Sequence, residues 1–266
     1  MPQPAAWPCL LVLALSGCTL PDAPHVQVIG HGGMGADSEW PMNSGPSLAA
    51  ALAAGVHGVE LDVQLTADSV LVAYHDELLD GNSACSGKVN ALTWAQLQQC
   101  PVLQDGATFP FVRVDALLLA YADTHPDATF TLDCKLFAAG DWWTYLQTYA
   151  RALARLNARW PGRLTAECQV NDLLRLTQEE APDLALFLYG TESDAAIRRA
   201  ATSHYAGVTM HHAAIRAEEV RMAQELGLQV AVFGVGGWIG HYRALRKGVD
   251  RLQTDAPLEA LAGIGR

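Results

Sequence analysis

The feature that most restricts the folds open to this chain is a regular alternation of short apolar runs with amphipathic stretches, about eight times over roughly 240 residues. The apolar runs are 25–30, 58–64, 129–135, 164–170, 184–189, 207–210, 229–235 and 251–254. Helical patterns fill the gaps at 47–54, 113–124, 142–158, 172–180, 193–203, 217–226 and 239–247, and a last one begins over 257–261. The alternation predicts parallel strands joined by helical crossovers and closed as an α/β fold, a (β/α)8 TIM barrel. A single domain, residues 26–266, accounts for it, because no internal repeat, low-complexity tract or long linker interrupts the pattern. In such barrels catalytic side chains sit at the C-terminal ends of strands. His31, Glu60, Asp62, Asp133 and Lys135 all fall there.

The second run opens GVELDVQLTADSVLVAYHDELLD, residues 58–80. Glu60 and Asp62 are two apart and share one strand face, while Val59, Leu61 and Val63 take the other. Two carboxylates on an apolar strand repel each other unless a positive group lies between them. Residues 65–69 are too few for the crossover that a parallel neighbour needs, so residues 70–74 return as an antiparallel hairpin. That strand is an excursion outside the eight, and it brings His75 roughly level with Glu60. Taken alone, the pattern describes equally well a surface hairpin with its charges in water. Asp133 and Lys135 repeat the two-residue spacing in TLDCK and share a face; a buried structural ion pair is the plainer reading of those two.

The formal net charge is −11, which argues against nucleic acid or an anionic membrane surface as a general partner. An anionic substrate therefore needs a local positive device, and a metal ion is the simplest. Half the residues are apolar and 17% are charged, so disorder is not expected.

Residues 1–17 carry a short apolar stretch that reads as an export signal, too brief to span a bilayer. Leu15-Ser16-Gly17-Cys18 resembles a bacterial lipobox, which makes Cys18 the expected lipidation site and 18–25 a tether. The expectation is an exported lipoprotein, anchored in the periplasm or at the cell surface, touching the membrane only through that lipid. Cys85 and Cys100 flank a polar loop and are the expected disulfide in an oxidising compartment; Cys134 and Cys168 lie in apolar strands, where a free thiol is a small core residue.

The motifs GHGG (30–33), 58–80, TLDCK (131–135), GVTMHH (207–212), GLQVAVFGV (227–235) and KGVDRLQTDAPLEAL (247–261) together resemble the glycerophosphodiester phosphodiesterase family. Its barrels belong with the phosphatidylinositol-phospholipase-C-like phosphodiesterases. The resemblance implies metal ligands at Glu60, Asp62 and Asp133, an acid–base pair at His31 and His75, and a phosphate contact at Lys135. It also implies hydrolysis of small glycerophosphodiesters to glycerol 3-phosphate and an alcohol, the substrate's own hydroxyl attacking phosphorus. Asp133 stands where the family often has Glu, and two further departures matter more. Gly32 stands where an Arg usually binds phosphate, and Met42 where a Glu usually precedes Asn43.

Hard oxygen ligands favour Ca²⁺ or Mg²⁺, with Mn²⁺ admissible. Three carboxylates are balanced by a divalent ion and Lys135, leaving a site able to receive a monoanionic diester. His211 and His212, after the 207–210 run, and Trp238, after Gly234-Val235-Gly236-Gly237, are further candidates for substrate contact at the barrel mouth. His57 and His241 read as structural or exposed. With Gly32 in the Arg position, a lysophospholipid or another diester is an alternative substrate, and a non-catalytic phosphate- or polyol-binding surface protein is the alternative outside enzymes.

Overall fold

The computed structural model describes residues 25–104 and 106–264. Its strands are β1 (Gln27–Gly30), β2 (Gly58–Leu65), β3 (Leu71–Ala73), β4 (Val102–Gln104), β5 (Ala107–Phe109), β6 (Val112–Arg113) and β7 (Thr129–Cys134). They continue with β8 (Leu164–Cys168), β9 (Ala185–Gly190), β10 (Gly207–His211), β11 (Gln229–Val235) and β12 (Arg251–Thr254). One sheet runs β1-β12-β11-β10-β9-β8-β7-β2-β3-β6 and is closed by pairing of β1 with β2. Once the antiparallel β3 and β6 are set aside, the remaining eight strands are parallel and form the (β/α)8 TIM barrel that the alternation predicts.

The strands obey the period of two. Val59, Leu61 and Val63 point outward into the main apolar core, while Glu60, Asp62 and Gln64 are buried inside the barrel. Helices cover the outer face. Trp142–Arg159 shows how they are placed: Asp141 caps its first turn through Thr144 N, and Tyr145, Leu146, Tyr149, Leu153 and Leu156 form one buried stripe. Tyr149 also donates its hydroxyl to Val63 O at 2.6 Å, fixing that helix against β2.

The interior is polar rather than filled by aliphatic layers. At the lower end Arg251 donates to Gln27 Oε1, Thr165 Oγ1 and Thr129 Oγ1. Above it Glu167 accepts from Thr209 Oγ1 at 2.6 Å and from Gln253 Nε2 at 3.0 Å. These buried groups are partnered, as burial demands.

Sequence reasoning anticipated the excursion after β2 but not its contents. Residues 66–69 turn through Ser69 at φ +64°, and β3 pairs antiparallel with the end of β2. The chain then forms a 3₁₀ turn (Val89–Ala91), a short helix (Trp94–Leu97) and the β4–β5 hairpin before β6 returns beside β3. Apolar spacing alone cannot reveal such short pieces. They enclose a second small core of Val72, Tyr74, Leu79, Val89, Leu97 and Phe111. Cys85 and Cys100 form a disulfide in this segment, as expected, and Cys134 and Cys168 are free and buried. The helix expected over 113–124 is shorter, Val114–Tyr121, with Pro126 soon after it. The export signal and Cys18 lie outside the described residues. Among the described residues no helix is long and apolar enough to cross a membrane.

Candidate active site

The parallel register of β2 and β7 sets Asp62 beside Asp133, and β8 sets Glu167 beside Asp133. Glu60, Asp62 and Asp133 each offer an oxygen within 4.8 Å of the others. Lys135 follows β7; its Nζ donates to Asp133 Oδ2 at 2.6 Å and lies 3.1 Å from Asp62 Oδ1. Four of the predicted site residues are thus in one cluster at the C-terminal mouth of the barrel.

Burial sets the electrostatics. Desolvation, then the neighbouring Asp62 and Asp133, push the Glu60 carboxyl well above its usual range. Asp133 is also raised, mainly by burial, with Lys135 opposing. Burial works against the Lys135 ammonium, but Asp133 and Asp62 outweigh it and hold the charge firmly in place. Glu60 Oε2 accepts the Gly32 N–H at 2.9 Å, whereas the buried Oε1 has no hydrogen-bond partner among the described residues. Three carboxylates answered by one lysine, with a buried oxygen left over, fit a hard divalent cation with oxygen ligands.

His31 leaves β1 and is held from two sides. Its Nδ1 lies 2.8 Å from Asp255 Oδ1, and its Nε2 is 3.9 Å from Glu60 Oε2. Burial would lower the imidazole pKa, but the Asp255 hydrogen bond and the charge of Glu60 overcome it and raise it to about 9. Asp255, just past β12, is the counterpart; burial opposes it, and His31 keeps it below the usual carboxylate range.

His75 lies close to its expected level. Beyond β3, Tyr74 N donates to Asp62 O, so the same register brings His75 beside Leu61, one residue from Glu60. The imidazole is 64% exposed at the rim, with Nδ1 2.8 Å from Asp76 Oδ1, and among the described residues no hydrogen bond or ion pair joins it to the carboxylate cluster. Asp76 Oδ2 in turn accepts from Asn82 Nδ2 at 2.6 Å.

His211 ends β10. Its ring packs edge-on to Phe233, and its Nδ1 accepts the Ala213 N–H. Trp238 makes its ring contact with Tyr242 on its own helix. Burial and the neighbouring His211 lower the pKa of His212. His57 Nδ1 accepts the Val28 N–H, and His241 is fully buried against Thr254, both structural.

Sequence reasoning assigned no role to three residues at the site. Asn43 donates to Asp62 Oδ2 at 2.7 Å and accepts from Asp62 N at 2.9 Å, in a left-handed conformation with φ +65°. Asn tolerates that conformation, so a lone Asn before the Ser44 helix cap was the available signal. Asp255 could have been found from the strand-end rule that located the others. Glu167, raised to about 7 by burial and Asp133, sits inside an apolar-looking run and gave no periodic signal.

Met42 and Gly32 meet at this mouth. A Cβ placed on Gly32 would stand 2.7 Å from both the Met42 Cβ and Cε, and Gly32 has φ +53°. Met42 therefore fills the space into which a side chain at position 32 would project.

Residues 34–259 match the Glycerophosphoryl diester phosphodiesterase family. A relative from Mycobacterium tuberculosis, named "Probable glycerophosphodiester phosphodiesterase 1", is 36% identical over 120 residues; that stretch is 45% of this chain and 40% of the relative. Among solved structures, a glycerophosphodiester phosphodiesterase from Parabacteroides distasonis superposes with a TM-score of 0.77 at 22% identity, covering 90% of this chain and 97% of that one. An Oleispira antarctica phosphodiesterase, solved with the product sn-glycerol-3-phosphate, gives 0.76 at 21%, covering 93% and 98%. The barrel, its acidic mouth and these matches agree, and the chain belongs to the glycerophosphoryl diester phosphodiesterase family.

Proposed function

We propose that this protein is a metal-dependent phosphodiesterase that hydrolyses glycerophosphodiesters to glycerol 3-phosphate and an alcohol. The observation that carries the reading is the Glu60, Asp62 and Asp133 cluster, with a Glu60 oxygen that has no hydrogen-bond partner among the described residues, beside His31, whose ring is held by Asp255.

Glu60, Asp62 and Asp133 are the residues that would hold the cation, Ca²⁺ or Mg²⁺ with Mn²⁺ admissible. When bound, the ion would polarise the phosphoryl oxygens and, by offsetting the Glu60 and Asp62 charges, draw the His31 pKa down toward neutrality. Lys135 presents a fixed positive charge to the phosphate. Asp255 fixes the His31 ring through Nδ1 and aims Nε2 at the acidic cluster. His31 takes the proton of the glycerol hydroxyl as that oxygen bonds to phosphorus. His75, oriented by Asp76, gives a proton to the departing alcohol oxygen as its bond to phosphorus breaks. A water then opens the cyclic phosphate with the two histidines exchanging roles.

Residues 1–17 and Cys18 support export with a lipid anchor, and the disulfide suits an oxidising compartment. Labelling with a lipid precursor should depend on Cys18; an unlabelled, freely released protein would refute the anchor.

The activity is tested by release of glycerol 3-phosphate from glycerophosphocholine, with Ca²⁺ or Mg²⁺ added and then chelated. His31→Ala and His75→Ala should each lower kcat by at least about 100-fold in protein that remains folded. Tight phosphate binding without turnover by the wild type would instead support a binding protein.

A further inference from the structure

A cavity of about 370 Å³ opens beside His75. One wall is the 36–44 loop, with Met42 and Asn43; the other is the excursion, with Val102, Leu103, Phe109 and Phe111. Of the proposed catalytic and metal-holding residues, His75 lines it and His31, Glu60, Asp62 and Asp133 do not, and its size is that of a site for a small organic group.

We propose that this cavity is a subsite for an apolar, uncharged alcohol group, so that the favoured substrates are glycerophosphodiesters whose departing alcohol is aliphatic or aromatic. The inference rests on the activity proposed above and adds the identity of the leaving group. Three observations carry it. First, the cavity is lined by His75, the group that protonates the departing oxygen, and not by His31, which is held by Asp255. Second, the carboxylate in the lining, Asp76, is turned onto His75 Nδ1 and Asn82 Nδ2, and among the described residues no Lys, Arg or second carboxylate lines the cavity. Third, Met42 sets its thioether side chain against Gly32, and no side chain at position 32 can enter without displacing it. Met42, Leu103 and Phe109 then offer apolar contact on facing walls.

The hairpin that bears Leu103 and Phe109 is tied in place. Cys100 lies two residues before Val102 and is bonded to Cys85, and Leu103 N donates to Asn82 O. The wall is therefore part of the fold and exists before substrate arrives.

The test is a series of glycerophosphodiesters esterified with ethanol, butanol and hexanol, compared with glycerophosphocholine. kcat/KM should rise about two- to fourfold per methylene, the expectation for burying a CH₂ group, and hexanol should exceed choline by at least tenfold. Met42→Gln and Leu103→Ser, checked for unchanged melting, should each flatten the series. A flat wild-type series, a preference for choline, or an undiminished slope in both variants would overturn the subsite. Faster turnover of lysophosphatidylcholine with a flat alkyl series would put an acyl chain in the cavity and overturn it too. Absence of turnover on every diester would instead remove the activity proposed above.

Discussion

Asn43→Ala should be among the most damaging single changes that leave every catalytic side chain in place. Asn43 makes two bonds to one residue: a 2.7 Å bond to the Asp62 carboxylate and a 2.9 Å bond from the Asp62 N–H. Losing the first costs about 1.5–3 kcal/mol, because its acceptor is charged, and orphaning the buried N–H costs about 1–3 kcal/mol. Alanine at φ +65° adds about 1 kcal/mol of backbone strain. The total is about 5 kcal/mol, or roughly 15 °C in melting temperature for a chain of this size. Asn43→Gly relieves the strain alone and should recover about 1 kcal/mol of the loss. Asn43→Asp keeps the acceptor but turns a carboxylate onto Asp62, and should be at least as damaging as alanine without metal. Thermal melts of the three variants in chelator measure these differences directly. Calcium titration of any folded variant should show binding weakened by about 10- to 100-fold, since Asp62 is no longer aimed. An Asn43→Ala protein melting within 2 °C of wild type, a span set from the ~2–4 °C expected per kcal/mol, would refute the reasoning.

Asp255→Asn should leave the fold intact and lower kcat by about 100-fold or more, because His31 loses the anion that orients and charges it; a kcat near wild type would show that Glu60 alone holds the ring. Burial lowers the pKa of His241 below 6.5, so the folded state binds its proton less readily than the unfolded chain does. Its contribution to stability is full above 6.5 and falls away as pH drops below that value. His241→Gln, which can still reach Thr254 Oγ1, should reduce the acid-side fall in urea midpoint; an identical pH profile in the variant would exclude His241 as its source. His31, raised to about 9, acts in the opposite sense: its stabilisation is present below 6.5 and lost as pH rises through about 9. In His31→Ala the alkaline-side loss should be smaller, measured on metal-free protein.

The barrel was legible because its strands are spaced by helices and alternate cleanly in and out. β11 and β12 fall where apolar spacing puts them, and β2 extends by a single residue. The Glu60–Asp62 and Asp133–Lys135 spacings placed those side chains on inward faces, and the structure brings all four together. His75 was harder to place, since β3 stops at Ala73 and the turn to the rim is set by Asp76 and Asn82 rather than by pairing. Asn43, Asp255 and Glu167 reach the site across gaps of 19 to 224 residues in partners such as Asn43–Asp62 and His31–Asp255. No local pattern encodes such pairings. The two-stranded β4–β5 hairpin escaped for a different reason: strands of three residues carry too few alternations to register.

The excursion has a property that the barrel strands lack. It leaves at β3 and re-enters at β6, strands that pair with each other, so its two ends are neighbours. It also carries its own small core and its own cross-link. A segment of that kind can change in length or content while the two strand stubs keep the same spacing, provided Asp76 and Asn82 stay to hold His75. The acidic mouth, built almost wholly from barrel strands, would not register the change. The candidate metal ligands thus come from barrel strands, whereas the partner that orients His75 comes from the excursion.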